Sequence, residues 1–277
     1  MVKKIFNIYV LLFLHGIILA ALFFLITLQS HTQSIYQHIV SSTIQSGMSQ
    51  EEGAIALLHA THDLIPTNED DWGIFGNWPQ NPTLKERFFG KTPSILIKGG
   101  ACGNFVHVLG RSLQEAGYDI RIAQMKVGDE YGGHYGAHIV LETKIDEQWI
   151  VLDPLYDFYF INPDGTLASF ADVRNDWDYF KSQTPPEYPR EMYKYLGVRY
   201  TNWEKIPFIT PALRLTLKIL TGEDKVQKLS LRVYLIDTYR VYIVALLILY
   251  IPIIAITFVT VRNRLSVRST KQGSNSE

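Results

Sequence analysis

Cysteine is nearly missing from this chain of 277 residues: there is one, Cys102. A lone thiol excludes an internal disulfide, so Cys102 is a buried small hydrophobe, an intermolecular partner or a reactive thiol. Net charge is scarce too. The 26 Lys and Arg against 27 Asp and Glu leave -1 at pH 7, which excludes an electrostatic binder of nucleic acid and a disordered acidic tail. Lys and Arg are absent between Lys4 and Lys85, and no internal repeat or low-complexity tract occurs.

What the chain has in excess is apolar length at both ends, within a hydrophobic content of 47%. Residues 5–28 are broken only by Asn7, His15, Gly16 and Thr27, and about 24 residues exceed the ~20 that cross a bilayer. A cleavable signal has a shorter apolar core and a small-residue cleavage site, so the run reads as an uncleaved anchor. Residues 241–261 form a second such run, with Pro252 inside it and Arg240 and Arg262 bracketing it. Lys3 and Lys4 keep the N-terminus in the cytoplasm by the positive-inside rule, and two crossings return the tail there; Arg262, Arg264, Arg268 and Lys271 agree, balanced by Lys225, Lys228, Arg232 and Arg240 ahead of the second run. The expected order is a cytoplasmic start (1–4), a span (5–28), an extracytoplasmic domain (29–203, core about 50–180), a basic juxtamembrane segment (204–240), a second span (241–261) and a cytoplasmic tail (262–277). The juxtamembrane cations suit anionic head groups, which makes the lipid bilayer a partner.

Between the spans the pattern is α+β. Residues 29–50 are polar and read as a stalk or a helix leading from the bilayer. Ser49-Gln50-Glu51-Glu52 supplies a helix N-cap ahead of Ile55, Leu57 and Leu58, and that helix ends before Pro66. Residues 67–82, with Trp72 and Trp78, read as a long ordered loop, either a rim of a site or simple packing. Phe105, Val108, Leu109 and Leu113 recur at helical spacing from Cys102 to Ala116, and Gly117 stops the helix. Residues 119–127 alternate as a half-buried strand does. Further strands run over 136–145 and 148–152, joined by a turn at Asp146-Glu147, and strands this close pair antiparallel. Asn162-Pro163-Asp164-Gly165 is a turn signal, and residues 169–181 carry a short helix.

The chemistry centres on Gly99-Gly100-Ala101-Cys102, where a glycine loop enters a helix. Unpaired N–H groups and the positive end of the helix dipole favour a thiolate there and offer donors to an oxyanion. A sulfur nucleophile needs a base and a group that fixes the base's tautomer. His138 and Asp153 stand about seven residues either side of the 145–148 turn, which puts them near one another if the strands pair. His134 is the other possible base, and Asp157 the other carboxylate. His107 lies five residues along the helix, turned roughly 140° from Cys102, and reads as structural. A metal site of Cys102, His134 and His138 lacks a close ligand pair.

Gly-x-Cys at the head of a helix, Gly-Tyr-Asp-Ile-Arg, Gly-Ala-His-Ile-Val-Leu-Glu and Trp-Ile-Val-Leu-Asp-Pro follow in that order over about 95–164. This series resembles the transglutaminase-like superfamily, whose fold is related to that of papain-like thiol proteases. The resemblance implies Cys102 as nucleophile, His138 as base and Asp153 as the group orienting it. It also implies acyl transfer from an amide or ester carbonyl of a protein, peptide or envelope polymer, with water or an amine as acceptor and no cofactor. Animal transglutaminases use an upstream Trp indole on the oxyanion, which directs attention to Trp72 and Trp78. The alternative is a non-catalytic domain of the same fold that binds or assembles envelope or polysaccharide machinery.

Overall fold

A computed structural model of the chain describes residues 8–66, 92–203 and 210–273. They divide into two compact units, one within residues 1–31 and 238–277 and the other within Thr32–Asp237.

The first unit pairs the start of helix α1 (Ile8–Thr43) with α10 (Thr238–Gly273). Both are long and apolar enough to cross a membrane. Leu11, Ile18 and Leu22 are buried in a seam that His15 completes, a 4-3-4 spacing that keeps one stripe of a helix turned to its partner. The His15 ring nitrogens lie 2.7 Å from the Tyr250 hydroxyl and 2.9 Å from Thr257 Oγ1. Most other apolar side chains here, such as Phe13, Phe23, Leu249 and Phe258, are exposed, as lipid-facing surfaces are. Beyond residue 28, α1 continues unbroken to Thr43, taking the helical option of the two open for the polar stretch.

The second unit is α+β. Helix α2 (Gln50–Leu64) starts in a capping box, Ser49 accepting from Glu52 N–H while the Glu52 carboxylate accepts from Ser49 N–H. Short helix α3 (Thr92–Lys98) leads into α4 (Cys102–Glu115). The chain then lays down β1 (Ile120–Lys126), β2 (Tyr135–Ile145), β3 (Gln148–Asp153) and β4 (Phe158–Tyr159) as antiparallel neighbours. Asp146 and Glu147 at φ 45° and 66° close the two-residue β2–β3 hairpin, the left-handed conformation whose twist matches the flanking strands. The expected helix over 169–181 divides into α5 (Phe170–Asn175) and α6 (Trp177–Phe180) at Asp176, and β5 (Val198–Arg199) pairs on the outer side of β1.

Both faces of the sheet are covered. One carries Ile122, Leu141 and Leu152 against Leu57 and Leu58 of α2 and Phe105, Leu109 and Leu113 of α4. The other carries Met125, Val140 and Val151 against an aromatic layer of Phe158, Phe160, Phe170, Tyr188, Tyr193 and Tyr195. The unit reaches Asp237, past the boundary at 203 expected from the sequence. After α7 (Thr210–Thr221) and α8 (Glu223–Gln227), the Ser230 hydroxyl accepts from Ile122 N–H of β1 at 3.1 Å. Helix α9 (Leu231–Leu235) follows, and Ile236 is buried in the helical layer. The basic segment is thus partly core.

Candidate functional site

The site begins with the turn into α4. Gly99 adopts φ +78°, where a Cβ would collide with the Pro66 carbonyl oxygen, so the approach to Cys102 is open only to glycine. Ala101 is the N-cap and donates no side-chain cap. Its carbonyl takes Asn104 and Phe105 N–H, which leaves the first amides of the helix, those of Cys102 and Gly103, beside the sulfur. Gly99→Ala is expected to destabilise the domain by about 1–2 kcal/mol and to slow Cys102 alkylation, read by urea unfolding and iodoacetamide labelling; labelling at the wild-type rate would disprove it.

His138 is placed by a bulge. The β1–β2 register passes from Gln124↔Ile139 to Lys126↔Tyr135, so three residues of β2, Gly136 to His138, stand against Met125 alone. Gly136 at φ +95° absorbs the kink, and such bulges re-aim side chains. The β2–β3 ladder runs only to Leu141↔Leu152, and the next β3 positions are Asp153 and then Pro154, which has no N–H to extend it. By that register Asp153 falls opposite Val140, so it sits diagonally from His138 on the same face rather than directly across. Gly103 comes close to Ile139, and the start of α4 thereby meets β2 where β3 no longer bonds to it.

At this opening the side chains converge. His138 Nε2 and Asp153 Oδ2 are 2.5 Å apart, both side chains 1% exposed. Asp153 Oδ1 accepts from Leu155 N–H at 3.2 Å, which fixes the carboxylate. Cys102 is a hydrogen-bond and charge partner of the same imidazole. With Nε2 engaged by Asp153, the sulfur is served by Nδ1. Cys102 is half-buried. Burial pushes the His138 imidazole down, but the charge and hydrogen bond of Asp153 and those of Cys102 outweigh it and raise it to about 10. The ring is stacked on Tyr193, centroids 4.7 Å apart, with Tyr156 and Tyr188 edge-on. Burial, then the charges of Cys102 and Asp153, push Tyr193 up to about 12, so it stays a neutral wall.

That raised imidazole has a stability consequence. Its protonated form contributes fully below the unfolded value near 6.5 and the contribution is lost as pH rises toward 10. Stability of the wild-type chain to urea is expected to fall between pH 6.5 and 10. Asp153→Asn, which removes the main favourable charge, should flatten that slope; an unchanged slope would exclude His138 as its source.

The three residues singled out from the sequence are therefore brought together. Asp157 instead bonds His59 at 2.7 Å on the surface, His134 is exposed, and His107 is half-buried on α4. Trp72 and Trp78 lie outside the described residues. Tyr188 and Tyr193, and Arg232 of α9, are site neighbours that sequence reasoning missed. Desolvation lowers the Arg232 guanidinium and the charge of Cys102 opposes that shift, so the arginine stands within reach of the sulfur's field. No periodic or motif signal marks these residues, because they come from irregular or late segments that fold back onto the sheet. Among the described residues no cluster of three metal-ligating side chains occurs. No known family and no curated protein matches this chain.

Proposed function

We propose that this protein is a membrane-anchored thiol enzyme of transglutaminase-like kind, moving acyl groups from amide or ester carbonyls to water or an amine through Cys102, His138 and Asp153. The observation that carries this reading is the continuous line from Asp153 through the buried His138 ring to a half-buried Cys102 at the first turn of a helix. The thiol proton passes to His138 Nδ1 and the sulfur attacks the carbonyl carbon. The oxyanion is met by the Cys102 N–H at the helix N-terminus. His138 then protonates the leaving amine or alkoxide as the carbon–heteroatom bond breaks, leaving a thioester. Acylation removes the sulfur's charge, one of the influences that hold the His138 proton, so the neutral ring next takes a proton from water or an amine as that nucleophile attacks the thioester. Asp153 keeps the ring oriented throughout.

A two-pass arrangement with the domain on the extracytoplasmic side is supported by Lys3 and Lys4 ahead of the first apolar helix and by the absence of any Lys or Arg until Lys85. There a single thiol has no internal partner with which to be oxidised.

p-Nitrophenyl acetate tests the chemistry. The full chain in nanodiscs is expected to release a burst of about one nitrophenolate per chain, with an acetyl group on Cys102 by mass spectrometry, and then to turn over slowly. His138→Ala should abolish the burst. Release no faster than from urea-unfolded protein would overturn the enzymatic reading in favour of a binding module.

A further inference from the structure

Helix α7 carries a feature that the site does not use. Leu215, Ile219 and Leu220 are 58%, 74% and 73% exposed, which is unusual for three neighbouring large apolar residues on a folded surface. At 100° per residue they span about 140° of the helix surface, with Arg214 and Lys218 one turn apart outside that arc. The polar edge is fixed: Arg214 and Lys218 bond Glu223 of α8 at 3.2 and 2.6 Å. Thr216 falls inside the apolar arc, and its hydroxyl donates to the Ala212 carbonyl at 2.8 Å, so its proton is satisfied without water.

The chain's own connectivity says what this face meets. α7 ends at Thr221, and α10, long and apolar enough to cross a membrane, begins at Thr238. Tyr234 and Leu235, between them, are likewise exposed. Arg214 and Lys218 beside the apolar arc, with Lys225 in the segment that follows, complement anionic head groups. We propose that α7 is an interfacial helix lying in the plane of the bilayer surface, with Leu215, Ile219 and Leu220 at the acyl boundary. This placement rests on the membrane-spanning reading of α10 and not on the thiol chemistry.

Nitroxide labels at positions 214, 215, 218, 219, 220 and 248, one at a time in Cys102→Ser chains, measure this in nanodiscs of phosphatidylcholine and phosphatidylglycerol. Labels at 215, 219 and 220 are expected to collide with oxygen and be shielded from a water-soluble nickel chelate, at a depth of about 5–10 Å, while 214 and 218 show the reverse. Nickel access at 215, 219 and 220 would overturn the proposal in favour of a water-facing helix. Shielding from both reagents would overturn it in favour of a protein partner. Position 248, in α10, separates the causes: if it too is open to nickel, the spanning reading has failed.

Discussion

Carbamidomethylation of Cys102 by iodoacetamide at pH 7 is expected to fall about 10- to 30-fold in His138→Ala. An unassisted thiol is only about 3% ionised at that pH, whereas a thiol whose proton is held by a buried imidazole reacts as an anion. The loss stops short of the full ratio because a more basic thiolate is intrinsically the better nucleophile. Asp153→Asn should produce a smaller decrease, because the ring stays in place but loses the charge that contributes most to holding its proton. Equal rates in the wild type and His138→Ala, in chains shown by circular dichroism to be folded, would dissolve the triad.

Replacing Arg111 by alanine is expected to lower the melting temperature of the full chain by roughly 10 °C or more. Arg111 Nη1 and Asp237 Oδ2 are 2.9 Å apart, with side chains 10% and 12% exposed, and the guanidinium also lies 5.3 Å from the Tyr36 ring centroid. Truncation takes the guanidinium from a largely buried carboxylate, a loss of about 3–5 kcal/mol, and each kcal/mol moves the midpoint of a domain this size by about 2–4 °C. Arg111→Met combined with Asp237→Leu removes both charges and should recover most of the loss. Hydrogen exchange supplies the local readout: amides of 231–237 should lose protection in Arg111→Ala before those of β2. If the single variant melts with the wild type, the pair does not tie the last segment to α4.

Part of this was legible because short-range rules govern it. Ser49 and Glu52 cap α2 as their spacing predicts. Asp146 and Glu147 take the left-handed turn that two strands separated by two residues require. The α4 stripe of Phe105, Val108, Leu109 and Leu113 is fully buried. Alternation placed His138 and Asp153 near each other but could not set their offset, since a bulge adds residues to one strand without changing either strand's composition. The helix expected over 169–181 broke at Asp176 because the Asp176 carboxylate caps a new turn by accepting from Tyr179 N–H at 3.2 Å, a local competition that apolar spacing does not register.

The least legible parts were those supplied from a distance. The segment ahead of the second apolar helix reads from the sequence as a basic juxtamembrane stretch, yet Ser230, Ile236 and Asp237 are anchoring points on β1 and α4. Tyr188 and Tyr193 lie among prolines and charged residues with no period, and only the buried face they cover explains them.

By itself the sequence determined two apolar helices long enough for a membrane, an α+β domain between them, and one thiol at the mouth of a helix, because length, periodicity and capping act within a few residues of each other. Only the tertiary structure decided the offset at which Asp153 meets His138, how a bulge at Gly136 aims the imidazole at the thiol, and that aromatic rings close around it. Those are contacts between elements far apart in the chain, set by strand register and by which faces must be buried, and no local pattern carries that information.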